Sequence, residues 1–235
     1  KKFKPKYLVE IGCNDGAFIN NFDPKKIVGV EPCRNLARIT KKKGYKVYSE
    51  YWNLRLSKQI IKEKKVDVIY SANTLSHITN YSEIFGAIKR SLSKKGILIL
   101  EDPSLLNCIK NVAYDQFYCE HVYVFSTIAL KNILDKFGLE IFDIENIITH
   151  GGSNRYYIKD KDNSFFKINK SVERELKKER KYGLQKFSTY VKFANKVKKS
   201  KKQLLQIFNK IYDKKVIGYG ATAKSCTVLN YCNIN

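Results

Sequence analysis

Four short segments bring together side chains that can do chemistry. In YDQFYCEHVYVFS, Tyr114–Ser126, a phenol (Tyr118), a carboxylate (Glu120) and an imidazole (His121) fall within four residues. A histidine beside a carboxylate is suited to taking a proton near neutral pH. In VEIGCNDGAF, Val9–Phe18, Glu10 precedes a turn with Gly12, Asn14 and Gly16 at alternate positions and Asp15 between them. Small residues, and Asn as the next most tolerant of positive φ, let a backbone approach a ligand closely. Glu31 follows Glu10 by 21 residues and is followed by Pro32, and an acid at that spacing can accept from both hydroxyls of a ribose. HGGSNRYY, His150–Tyr157, offers His150, Ser153 and Arg155 as donors to sugar or phosphate oxygens. GYGATAK, Gly218–Lys224, has the composition of a phosphate cradle with Lys224 at its end, but lacks P-loop spacing. Each segment also has a plainer reading: a Gly-rich turn with a solvated acid, a surface loop with a satisfied His, a hairpin turn without function.

The elements that must hold these segments follow from apolar periodicity. Strands are expected at 7–11, 26–30, 46–48, 66–70 and 96–100, with helices at 35–43, 56–64 and 81–92 between them, and a further helix is expected to follow the Gly12–Gly16 turn. Alternation of this kind implies a parallel sheet with helices on both faces. A helix at 127–137, a long strand at 139–149, the Gly151-Gly152 turn and a strand at 155–159 then read as an antiparallel hairpin closing the sheet. Glu10, Glu31, Asn73, His77 and Glu101 all follow or end strands, at the edge where such sheets bind ligands. Residues 171–215 predict one or two Lys-rich helices with weak points at Gly183 and 198–202, and 215–219 a strand running into a helix at 225–231. The expected organisation is an α/β domain over 1–160, a helical connector over 161–214 and the start of a second α/β domain over 215–235. The chain contains no Met, and it reads as a piece of a longer protein.

The 235 residues carry 45 basic and 22 acidic side chains, a formal net charge of +23. Lys accounts for 38 of the basic residues, a bias that AT-rich codons would produce without selection for nucleic acid. A basic second half can attract phosphate. It lacks an aromatic stacking platform, so a solvated Lys-rich helix explains it better than nucleic acid does. With 43% apolar residues, a disordered chain is excluded. No run of 18 apolar residues is long enough to span a membrane, and no signal peptide opens the chain. Six cysteines without a C-x-x-C pair suggest no metal site and a reduced, cytoplasmic setting.

Taken in order, EIGCNDG (10–16), GVEP (29–32), SANTLSHI (71–78), YDQFYCEH (114–121), HGGSNR (150–155) and GYGATAK…LNY (218–231) resemble the sugar C-methyltransferases that act on nucleotide-linked deoxysugars. The resemblance runs from about Tyr7 to the end, without the family's N-terminal four-cysteine zinc module. It implies a class I methyltransferase fold, Rossmann-like with seven strands, and S-adenosylmethionine held by Glu10, Gly12, Asn14, Asp15, Gly16, Glu31, Pro32, Asn73 and His77. It further implies a nucleotide-sugar substrate held by His150, Ser153, Arg155 and Lys224. His121 matches the family's base, which removes a proton next to a keto group, and Tyr118 and Glu120 match its neighbours. The chain departs from the family at Cys119, where a second His is usual, and at Asn154, where an apolar residue is usual. Other readings are O- or N-methylation of a small molecule in the same scaffold and, from a different class, a nucleic-acid-binding protein or RNA methyltransferase. The oligomeric state is left open.

Overall fold

Short runs with no polar face, such as Leu8–Ile11 and Ile27–Val30, are buried on both sides, as the strands of a parallel sheet must be. The computed structural model describes residues 3–220 and 222–234. Its sheet has seven strands: β1 (Leu8–Ile11), β2 (Ile27–Val30), β3 (Lys46–Tyr48), β4 (Val66–Ala72), β5 (Leu92–Pro103), β6 (Leu139–Ile147) and β7 (Ser153–Asp160), in the order β3-β2-β1-β4-β5-β7-β6. The first five run parallel, and β7 lies antiparallel between β5 and β6. The order reverses between β1 and β4, where Ile11 pairs with Ser71. Such a switch point opens a crevice beyond the carboxyl ends of the strands.

The alternation of strand side chains divides the core in two. Val9, Ile11, Val28, Ile69, Leu98 and Tyr156 face one way. They are covered by α2 (Leu54–Glu63), α3 (Tyr81–Ser91), α5 (Thr127–Asp135) and α6 (Lys170–Tyr182), whose apolar stripes supply Leu56, Ile60, Ile84, Ile88, Leu130, Leu134, Val172 and Leu176. α6 lies within the segment expected as a connector, yet it packs into the main core. Leu8, Ile27, Val68, Ile97, Phe142 and Tyr157 face the other way. On that side α1 (Arg34–Lys42) covers only the β3 end, through Ala37 against Cys13 and Val47.

Four sequence expectations need correction. The helix after the Gly turn is only the 3-10 turn Ile19–Asn21, because the Asn21 side chain donates to the carbonyls of Ala17 and Phe18, and Asp23-Pro24 then turns the chain. The 171–215 region breaks at Gly183 (φ +86), but α7 (Phe187–Lys210) runs unbroken through 198–202, since Lys, Ser and Gln sustain a solvated helix. The expected strand at 215–219 is irregular and pairs with neither edge strand; without a ladder partner a lone strand does not persist. A short α4 (Leu105–Lys110) follows β5, where no helix was expected. The chain ends in α8 (Ala223–Cys232), capped by Thr222 and Ser225. It docks on the 3-10 turn Tyr114–Gln116 through Tyr231, whose ring lies tilted against that of Tyr114, centroids 5.4 Å apart.

α6 is pinned to α5 by Glu179, fully buried, whose oxygens accept from the N–H groups of Thr127 (2.7 Å) and Ile128 (2.9 Å) at the start of α5. Glu179→Ala is expected to lower unfolding free energy by about 1–3 kcal/mol by orphaning those donors. Glu173→Ala, which removes an exposed pair with Lys177, should cost less than about 1 kcal/mol. Urea denaturation of both variants checks the difference.

Candidate active site

The turn after β1 is built on left-handed backbone: Gly12, Asn14 and Gly16 have φ of +77°, +50° and +91°. A Cβ on Gly12 would lie 2.2 Å from the Thr74 hydroxyl, so only glycine lets this turn meet the loop after β4. Glu31, buried at the end of β2, accepts from the N–H groups of Asn14 and Cys33, each at 2.9 Å. Each of its oxygens keeps a further lone pair. Glu10 is buried beneath the turn, and one of its oxygens, Oε2, has no hydrogen-bond partner. Burial pushes its carboxyl up to about 8, helped by the nearby charge of Glu31 and opposed by the Ile19 N–H. Asp15 lies on the exposed outer side of the turn, its N–H on the Asn14 side chain.

At the end of β4, Asn73 has φ +50° and donates its N–H to the Glu101 carbonyl, while its Oδ1 is buried and unpartnered. The loop continues through Thr74 to His77. The end of β5 carries Asp102, fully buried, its carboxyl pushed up to about 7 by burial although the Ser76 hydroxyl draws it down.

The 114–121 loop holds His121 from both ring nitrogens. Nδ1 lies 2.8 Å from the Gln116 carbonyl and Nε2 lies 2.8 Å from the Tyr118 hydroxyl. A carbonyl can only accept, so Nδ1 carries the proton, and Nε2 keeps its lone pair with the Tyr118 O–H donating to it. Burial holds His121 below the ordinary imidazole range, against the pull of the Gln116 carbonyl. The charges of His77, Lys224 and His150 also lower it. The ring is therefore neutral, with a free base, at cellular pH. The His77 and His121 rings meet edge to face, 4.9 Å between centroids. Burial also raises the Tyr118 phenol, with Glu120 adding to the effect.

His150 sits in the hairpin turn at φ +53°, and its Nδ1 lies 3.3 Å from Lys224 Nζ at the start of α8. The ammonium can only donate, so the free nitrogen of His150 carries a proton and is a donor. Burial and the Lys224 charge lower its pKa. The chain's three histidines thus share one edge of the sheet.

A cavity of about 280 Å³ lies between the Gly12 turn, the loop after β4 and the 114–121 loop. Gly12, Val30 and Pro32 form one wall, Thr74, His77 and Ile78 a second, and Cys119 and Glu120 a third. Tyr51 and Trp52, in the loop after β3, complete it. Neither was expected from sequence, where an isolated aromatic pair carries no motif. Two expected ligand residues are placed elsewhere. Ser153 is buried with its hydroxyl on the Thr149 carbonyl at 3.0 Å. Arg155 shares with Tyr157 the opposite sheet face, where two carboxylates hold it: Glu101 (2.9 Å) and Glu145 (3.4 Å). Arg155 borders a different cavity, of about 360 Å³, lined by Phe18, Phe22 and Tyr70; Gly12, Thr74, His77 and Glu120, which line the candidate site, take no part in it.

Residues 1–144 match the family described as methyltransferase domain, and residues 148–235 that described as C-methyltransferase C-terminal domain. The chain is 26% identical over 232 residues to C-methyltransferase NovU of Streptomyces niveus, covering 97% of this chain and 55% of that protein. It therefore spans little more than half the length of that relative. Among solved structures, the PH0226 protein of Pyrococcus horikoshii OT3 superposes with a TM-score of 0.52 at 13% identity, over 68% of this chain and 84% of that one. An O-methyltransferase from a trans-AT PKS multienzyme of Brevibacillus brevis, solved with S-adenosyl-L-homocysteine, superposes with a TM-score of 0.51 at 14% identity, over 82% and 78%. These two likenesses concern the fold.

The raised carboxyls set a pH dependence of stability. Glu10 and Asp102 bind protons more tightly folded than unfolded, so their contribution is full below about pH 4 and is lost as pH rises through about 7 and 8. Melting temperature without ligand is expected to fall across that window. Glu10→Gln and Asp102→Asn, which fix the neutral state, should each flatten part of the slope in a calorimetric pH series.

Proposed function

This chain belongs to the methyltransferase-domain family, and from that premise we propose that it methylates a carbon next to a keto group of a nucleotide-linked sugar, with His121 as the base. The observation that carries the reading is the shared cavity, in which the Gly12–Pro32 wall meets the loop bearing Glu120 and His121. S-adenosylmethionine fits the donor set of that wall. Glu31 has acceptor capacity left for ribose hydroxyls, and Asn73 Oδ1 and Glu10 Oε2 are buried polar atoms without partners next to the turn. Gly12, Asn14, Asp15 and Gly16 would supply the close backbone, with Pro32 and His77 on the walls. When bound, the cofactor supplies an electrophilic methyl group for a carbon nucleophile.

The protein's own part is to make that nucleophile. A keto group acidifies the neighbouring C–H, and His121 Nε2 is a neutral, oriented lone pair able to take its proton. Tyr118 lies on that nitrogen, so the proton reaches it after the phenol turns aside or is passed through the phenol oxygen. Glu120 stands beside the pair on the cavity wall. His150 is a donor in this arrangement, which makes it a ligand to substrate oxygens rather than a rival base. Lys224, facing it, is placed to meet the phosphates of a nucleotide sugar. The match of residues 148–235 to the C-methyltransferase C-terminal domain, and the likeness to C-methyltransferase NovU, support carbon as the acceptor.

His121→Ala is expected to lower methyl transfer about 10²–10⁴-fold and to abolish exchange of the sugar's acidic proton with deuterated solvent, with S-adenosylmethionine affinity nearly unchanged. Glu31→Ala should instead lose about 1.5–3 kcal/mol of cofactor binding. Titration calorimetry and a mass-spectrometric exchange assay separate the two. Loss of exchange in His150→Ala but not in His121→Ala reverses the roles. Methylation on oxygen or nitrogen with exchange untouched by either variant sinks the carbon reading.

A further inference from the structure

Gln116 is 2% exposed and ends the 3-10 turn on which α8 docks. Its backbone carbonyl receives the Nδ1–H of His121 at 2.8 Å. Its side-chain amide Nε2 donates to the backbone carbonyl of His150 at 3.3 Å. One residue therefore grips both histidine-bearing segments, the base with its main chain and the hairpin turn with its side chain.

The hairpin turn needs such a grip. Its three consecutive carbonyls, of Thr149, His150 and Gly151, each accept from a side chain: Ser153 Oγ, Gln116 Nε2 and Asn111 Nδ2. His150 is held meanwhile at φ +53°, a conformation uncommon for any residue but glycine. Of the three donors, only Gln116 also touches His121. Its other amide atom, Oε1, is buried without a partner. An unpaired buried acceptor is costly, and an apolar side chain would avoid it, so packing alone does not account for glutamine here.

We propose that Gln116 is a positioning residue, whose side-chain amide anchors the 114–116 turn to the His150 carbonyl and so aims its own carbonyl at His121 Nδ1. This keeps His121 in the tautomer whose lone pair is on Nε2, which free histidine does not favour. It also ties the substrate-holding end of the site, His150 and Lys224, to the base. The catalytic part of the inference rests on the reading of His121 as base; the structural part does not.

The test uses the full chain with 15N-labelled histidine. In the wild type, ring NMR should show His121 protonated on Nδ1 and titrating below the ordinary imidazole range. Gln116→Met keeps length and packing but removes the amide. It should move His121 toward a mixture of tautomers and slow proton exchange and turnover about 10- to 100-fold, the scale expected of a misplaced catalytic group. Gln116→Glu, which cannot donate to the His150 carbonyl when ionised, should behave like Gln116→Met rather than restore the wild type, and it serves equally if the Met variant folds poorly. An unchanged His121 tautomer in either folded variant overturns the proposal, as does wild-type behaviour of Gln116→Glu above neutral pH. A tautomer change without loss of exchange upholds the positioning role and overturns the assignment of His121 as base instead.

Discussion

The parallel pairing of β1 with β4 brings the Gly12 turn against Thr74 at the point where the strand order reverses. With 2.2 Å between the Thr74 hydroxyl and any side chain at position 12, no other residue leaves the two loops in contact. The cavity depends on that contact, because its first two walls are these loops. The third wall comes from the long excursion between β5 and β6, which must come back over the same edge. β7 then enters antiparallel between β5 and β6, and its turn delivers His150 to the same rim. The parallel strands thus present the Gly12 turn, and the closing hairpin presents His150, at one edge of the sheet.

Much of this was legible because it is local. Four-residue apolar runs, a Gly-rich turn and an acid 21 residues on are contiguous signals, and all seven strands fall within a few residues of their expected places. His121, Tyr118 and Glu120 were legible as a motif, although the motif does not say which nitrogen carries the proton. That depends on a carbonyl five residues earlier, in a turn with no periodicity. Arg155 was misplaced because its fate is set by register. Only the β5–β7 pairing puts Glu101 opposite it, on the face turned away from the cavity. Gln116 was overlooked for a related reason, since both its contacts, one of them across 34 residues, are invisible to spacing.

The electrostatics of the edge follow from burial more than from charge number. The chain is strongly basic, yet Glu10, Glu31 and Asp102, at the carboxyl ends of β1, β2 and β5, are acids taken out of water by the sheet. Lysines crowd the exposed helices instead, and Lys224 reaches the site only because α8 folds back onto the 114–116 turn. Burial leaves the Glu10 and Asp102 carboxyls holding protons near neutral pH, so the edge carries less negative charge than its acids suggest, and Lys224 makes the hairpin its basic end.

Four non-glycine residues of the edge loops, Asn14, Asn73, Val112 and His150, hold left-handed backbone conformations, and Val112 does so despite a β-branched side chain. Such residues cost free energy that the rest of the fold must offset. This bears on protein engineering. Glycine at any of the four would relax the main chain, but at Asn14 it would remove the acceptor of the Asp15 N–H, at His150 the contact with Lys224, and at Asn73 a buried amide. Routes to a hardier protein that spare the site run through the helical layer over the opposite end of the sheet, or through Val112, where strain can be relieved without giving up a side chain assigned to the chemistry.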